Sequence, residues 1–123
     1  MNLEAALRNF LADEIDLNFN TTGPGSLLFE TSADAEVATM ASVQNPAFGA
    51  AAAGVITLLG VTLSDASATG GTTVQFSGRN GTPTKQWELT VGTSGTEIII
   101  SSTIVGATDQ VDLTALTITV PAS

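Results

Sequence analysis

Residues 72–92 read Thr-Thr-Val-Gln-Phe-Ser-Gly-Arg-Asn-Gly-Thr-Pro-Thr-Lys-Gln-Trp-Glu-Leu-Thr-Val-Gly. Two runs in this stretch alternate with a period of two, the period of a strand with one face buried. Val74 and Phe76 share a face of the first run, and Trp87, Leu89 and Val91 share a face of the second. Asn80-Gly81 lies between them, and both residues tolerate the positive φ of a tight hairpin turn. The stretch predicts that 72–79 pairs antiparallel with 84–92, with Pro83 widening the loop. Trp87, the sole tryptophan, is in phase with the apolar face and so belongs to the core rather than to an interface.

Working outward, strand-like runs recur at 26–31, 36–43, 54–63, 96–103 and 110–120, separated by turn residues. Glu97-Ile98-Ile99-Ile100 has no polar face, so it should be a central strand or be covered by a partner. The last run changes phase near Thr114-Ala115, which predicts a bulge or a break there. Gly23-Pro24-Gly25 and Gly70-Gly71 read as turns, since no lysine, arginine or helix start follows to make a phosphate cradle. The expected class is mainly β: an antiparallel β-sandwich, Ig-like or jelly-roll-like, of about seven strands.

Ahead of the strands the period is helical. Leu3, Ala6, Leu7, Phe10, Leu11 and Ile15 recur at helix spacing over residues 2–17, Asn2 is placed to cap the start, and Glu4 suits the positive end of the dipole. The stop is the Asn/Thr/Gly/Pro cluster at 18–25. Asp13, Glu14 and Asp16 sit in the last turns, where carboxylates oppose the macrodipole and nothing close in sequence compensates them. They form either a solvated acidic face or a contact for a basic partner or cation. A helix this short must dock on something, either its own sheet or a neighbour. We therefore read 1–20 as an N-terminal docking helix and 21–123 as the β domain of a single-domain chain. The interface candidates are Leu3, Leu7, Phe10, Leu11, Asp13, Glu14 and Asp16, and removing residues 1–20 is expected to leave the β domain folded. The run Asn45-Pro46-Ala47-Phe48-Gly49, continued by alanines 50–53, would allow close backbone approach, in subunit packing or in an internal crossover.

The 123-residue chain has no histidine, cysteine or tyrosine and only three cationic side chains, Arg8, Arg79 and Lys85. Most acid–base and nucleophilic chemistry near neutral pH draws on the missing residues, so no enzyme, no catalytic residue and no cofactor are expected. Lys85 would need burial to act in a serine–lysine dyad, and it reads as an ordinary strand-edge lysine. Zinc and copper lack their ligands. Asp109 and Asp112 lack the dense oxygen loop of a calcium site. The net charge of −9 makes nucleic acid and anionic membranes poor partners. The first residues lack a basic region before an apolar run, so no secretory leader is expected. Without one, the glycosylation triplet Asn20-Thr21-Thr22 carries no weight.

Four stretches add a resemblance: 45–54 (NPAFGAAAAG), 64–73 (SDASATGGTT), 91–97 (VGTSGTE) and 116–123 (LTITVPAS). Together they resemble small proteins encoded among the virion genes of tailed bacteriophages and prophages, across about residues 26–123. Members of that group typically have an Arg-rich fourth strand, where this chain has Gln75 and Ser77. The resemblance implies a structural protein of the virion, assembled in the host bacterial cytoplasm. Its expected role is a decoration or cement protein on the outside of the head; a tail, neck or fibre-base component is the alternative. Its implied partners are a major capsid or tail protein and further copies of itself in a homo-oligomer. A carbohydrate- or receptor-binding module is a third reading, opposed by the small number of aromatic residues.

Overall fold

The computed structural model describes residues 1–21, 25–41, 43–81 and 84–122. One helix, α1 (Ala5–Phe19), precedes β1 (Ser26–Glu30), β2 (Glu36–Thr39), β3 (Val55–Thr57), β4 (Leu63–Asp65) and β5 (Gly71–Thr72). Then follow β6 (Gln75–Arg79), β7 (Lys85–Gly92), β8 (Ile98–Ile99), β9 (Ile104–Val105), β10 (Val111–Leu113) and β11 (Thr117–Thr119). The chain is mainly β with one helix: a five-stranded sheet in the order β2-β1-β6-β7-β8, and three two-stranded sheets, β10-β4, β11-β3 and β5-β9.

The hairpin read from residues 72–92 is the centre of the large sheet. Phe76 pairs with Leu89 and Gln75 with Thr90, antiparallel, and the register shifts at Gly78/Arg79. The connection is five residues long, 80–84, closed by the Asn80 N–H to the Thr84 carbonyl at 3.0 Å. Asn-Gly therefore opens a wider loop; Thr82 and Pro83 lie outside the described residues. Gly78 faces Trp87 across the ladder, and a Cβ there would lie 2.3 Å from Trp87 Cε2. The indole thus lies against bare backbone, which only glycine provides.

Several expectations change. Val74 lies one residue ahead of β6 and is exposed, while Phe76 is fully buried. The isoleucine run is not central: β8 is the edge of the sheet, parallel to β7, and Ile99 is 65% exposed. The large sheet is therefore not wholly antiparallel. The predicted strand 54–63 divides into β3 and a turn before β4, and 96–103 contributes only β8. The break expected at Thr114-Ala115 is present, between β10 and β11. The second strand ends at Thr39, and Ser42, within its predicted span, lies outside the described residues. So do Thr22, Gly23 and Pro24, and with them most of the first turn and the end of the glycosylation triplet.

One core joins these sheets. It gathers Leu27, Phe29, Val37, Phe76 and Val91 of the large sheet with Ile56, Leu63, Leu113 and Leu116 of the small-sheet region. It also takes Ala12 and Phe19 of α1, both with no exposed area. The aromatic rings form a continuous path: Phe48 meets Phe19 edge-on at 6.1 Å, and Phe19 stacks on Trp87 at 6.4 Å. Trp87 then lies 6.0 Å from Phe76, and Phe76 4.7 Å from Phe29. The helix is thereby a wall of the core, so removing residues 1–20 would open it.

Candidate functional site

Helix α1 has two dissimilar faces. Residues separated by three or four positions stack on one side of a helix. Arg8, Ala12, Ile15 and Phe19 follow that spacing and face the body of the protein. So do Asn9, Asp13 and Asp16, which grip the main chain of 48–54. Phe48 N–H donates to Asp16 Oδ1 at 3.1 Å, Ala51 N–H to Asp13 Oδ1 at 2.8 Å, and Gly54 N–H to Asn9 Oδ1 at 2.7 Å. Arg8 Nη1 donates to the Ala53 carbonyl at 3.1 Å. The segment runs antiparallel to the helix, so each successive side chain meets an earlier part of it.

The gripped segment ends in a tight turn. Ala52 and Val55 exchange both main-chain hydrogen bonds, and Ala53 and Gly54 between them have φ of 51° and 78°. Two positive φ values in sequence are the signature of a type I′ hairpin turn. Alanine is disfavoured there by roughly 1–2 kcal/mol. The bonds from Arg8 and Asn9 to this turn oppose that cost. At Gly54 a Cβ would lie 3.0 Å from both Arg8 Cβ and the Val120 carbonyl oxygen, so the close approach requires glycine. The small residues of 45–54 thus serve an internal crossover.

This corrects the reading of the acidic residues. Asp13 and Asp16 are compensated within the chain, by backbone N–H groups far away in sequence. Asn2 does not cap the helix; Glu4 occupies the N-cap position without a side-chain bond. The sequence stripe also merged two faces, since Ile15 packs toward the core while Leu7, Phe10 and Leu11 point outward.

The outward face carries Leu7 at 46%, Phe10 at 60%, Leu11 at 38% and Leu17 at 61% exposure. Leu3 is half-buried, and its N–H bonds the Ala122 carbonyl at 2.6 Å. Leu17 was missed from the sequence, although it follows Phe10 and Glu14 at helix spacing. Glu14 is half-buried on one wall of a groove between α1 and β7, lined by Leu11, Glu14, Ile15, Asn18, Gln86 and Trp87. Phe10 is the one strongly exposed ring; the other five aromatic residues form the core path.

A charge cluster lies at the far end of the hairpin. Glu30 is buried with 1% side-chain exposure and pairs with Arg79 Nη2 at 2.5 Å and with Lys85 Nζ at 3.5 Å. Burial pushes the Glu30 carboxyl up, but the hydrogen bond from Arg79, the nearby Ser77 hydroxyl and the charges of Arg79 and Lys85 outweigh it and hold it below its ordinary value. Lys85 also donates to Asp34 at 2.7 Å and Glu88 at 2.8 Å, and these bonds raise its ammonium pKa. A catalytic lysine needs the opposite shift. Asp34 is lowered by its bonds from Lys85 and Gln75.

Asp109 Oδ2 accepts from the Gly106 N–H, and Asp112 Oδ1 from the Ser64 hydroxyl and Gln110. The Ser64 bond, followed by the Gln110 bond, lowers the Asp112 carboxyl. Among the described residues no group of three or more acidic, histidine or cysteine side chains converges as a metal site. Also among the described residues, no helix is long and apolar enough to cross a membrane.

A second open region lies between β8 and β11. It is a groove of about 550 Å³ lined by Leu89, Ile98, Ile99, Leu116 and Ile118 among others. Alternate residues of β11 bond toward β3, as the Leu116 carbonyl and Val120 N–H do. Thr117 and Thr119 therefore turn their main-chain groups the other way.

No family model, curated protein or solved structure matches this chain.

Proposed function

We propose that this protein is a non-enzymatic structural component of a tailed-phage virion, held on the outside of the head as a decoration or cement protein. The observation that carries the docking part of this reading is the outward face of α1. Leu7, Phe10 and Leu11 form a contiguous apolar strip, with Leu17 exposed beyond Glu14, on a helix that is itself anchored from behind. Contiguous apolar surface on a rigid support is the character of an interaction site. The assignment to a virion rests on the sequence resemblance. In this reading the five-stranded sheet is one layer of a β-sandwich and the β3–β11 and β4–β10 pairs belong to the other, their side chains meeting in the shared core. The open edge at β8 is where copies of the chain would pair in a homo-oligomer.

Mass spectrometry of particles purified from an induced lysate tests the reading. A copy number matching the head lattice supports decoration, and a single ring of copies moves the protein to the tail or neck. Absence from particles overturns the proposal.

A further inference from the structure

We propose that the groove between α1 and β7 receives an arginine side chain of the partner protein, presented within an otherwise apolar segment. The inference rests on the docking reading above and names the chemistry of its partner.

The lining of the groove combines apolar side chains with hydrogen-bond acceptors. Leu11, Ile15 and the Trp87 indole supply the apolar surface. Asn18 already gives an N–H to the Glu14 carbonyl at 2.9 Å, and Gln86 gives one to the Thr84 carbonyl at 3.4 Å. What their amides have left to offer includes carbonyl oxygen. Glu14 adds a carboxylate, and among the described residues the ion pairs belong to Arg79 and Lys85, whose partners are Glu30, Asp34 and Glu88. The groove also lies at the C-terminal half of α1, the negative end of its dipole, and no basic residue stands in its last turn.

Acceptors beside apolar side chains suit a long side chain with an apolar stem and a donor-rich cationic head. Arginine fits better than lysine. Its planar guanidinium can bond a carboxylate with two N–H groups at once, while its stem lies along the apolar lining. The apolar strip beside the groove takes the residues that flank it.

A second copy of this chain is a poor occupant. The chain carries a net charge of −9 and three cationic side chains. Arg8 is committed to the Ala53 carbonyl, and Arg79 and Lys85 to Glu30 and its neighbours. No copy has a spare cationic side chain to present, and two chains of that net charge repel one another.

Trp87 is the only tryptophan and lines the groove, so its emission reports occupancy directly. The probe is a capped pentapeptide with a central arginine flanked by leucines, titrated into the full chain beside its uncharged citrulline counterpart. A saturable Trp87 response is expected, about tenfold weaker for citrulline and for Glu14→Gln, whose charge-assisted bonds are lost. Equal response to both peptides, no saturable response, or an unaffected Glu14→Gln overturns the proposal. So does sedimentation showing self-association that Phe10→Ser abolishes, which would make a second copy the occupant. Occupancy on purified particles separates the two levels of argument. Loss with Leu7→Ser/Phe10→Ser but full retention with Glu14→Gln removes the arginine and keeps the docking face. Retention of both removes docking through this face altogether.

Discussion

The two faces of α1 reverse the usual assignment of polar and apolar residues. The inner face carries Arg8, Asn9, Asp13 and Asp16 against the protein, and the outer face leaves Leu7, Phe10 and Leu17 in solvent. Hydropathy alone would turn this helix over. What holds it is the need of a turn and an irregular segment for partners: the N–H groups of Phe48, Ala51 and Gly54 must be bonded, and side chains of the helix bond them. Around those bonds only two residues, Ala12 and Phe19, are fully buried apolar anchors. A helix face can therefore be internal because it satisfies backbone, leaving its greasier side free for another molecule.

The strongest way to break this contrast is to remove the inner anchor. Phe19 lies between Phe48 and Trp87 with no exposed area. Phe19→Ala is expected to cost about 3–5 kcal/mol, the range for a large aromatic removed from a packed core. Urea unfolding followed by Trp87 fluorescence measures it, and a loss below about 1 kcal/mol would mean that α1 is not part of the core.

A comparable loss is expected from the other place where the chain commits its charge. Arg79→Met leaves Glu30 buried with Lys85 as its remaining cation, and breaking such a pair costs about 3 kcal/mol. The same variant has a pH signature. Glu30 is held below its ordinary value of 4.5 in the folded protein. Its contribution is therefore complete above pH 4.5 and lost as pH falls through the folded value. Lys85 is raised above 10.5, so its contribution is complete below pH 10.5 and fades only as pH climbs through its higher folded value. Thermal melts of the native chain should show this cluster contributing evenly between those limits. In Arg79→Met the acid-side loss should begin at higher pH; an unchanged acid limb would rule out Arg79 as the group that holds Glu30 ionised.

The polar grip of the inner face is weaker per bond. Asn9→Ala strips the acceptor from the Gly54 N–H, and about 1 kcal/mol is expected for one such bond. Hydrogen exchange at Gly54 and Val55 should rise with it, since the positive-φ turn then relies on Arg8 alone among the helix side chains. Unchanged protection there would show that the turn stands without the helix.

The central hairpin was legible because its information is local: alternation over β7 and punctuation at Asn80-Gly81 fall within one window. The break at Thr114-Ala115 was legible for the same reason, as a change of phase. The helix was legible as an element but its orientation was not. Asp13 and Asp16 find their partners 38 and 32 residues away, and such bonds leave no mark on the periodicity around them. The turn at Ala53-Gly54 was hidden inside an alanine run that announces no turn, so 54–63 read as one strand. At Ile98–Ile100 the absence of a polar face suggested a central strand or cover by a partner; the structure excludes the first, with β8 at the edge of the sheet and Ile99 exposed. For the candidate site, Leu7, Phe10, Leu11 and Glu14 were visible as a stripe with an acidic end. The groove beside Trp87 required β7 to be placed against the helix.

The smallest expected effect on stability is the most pointed. Leu7→Ser and Phe10→Ser, singly or together, remove large apolar groups from a helix, which would be severe if that face were internal. On the outer face each should change stability by no more than about 0.5 kcal/mol, the usual range for surface positions. Each polar replacement also withdraws apolar area from water in the free protein, which offsets the slightly poorer helix propensity of serine relative to leucine. Denaturation midpoints beside those of Phe19→Ala read the two faces on one scale. A midpoint shift in Phe10→Ser approaching that of Phe19→Ala would mean that the strip is already covered within the chain, and the surface offered to a partner would have to be sought at the open edge of β8 instead.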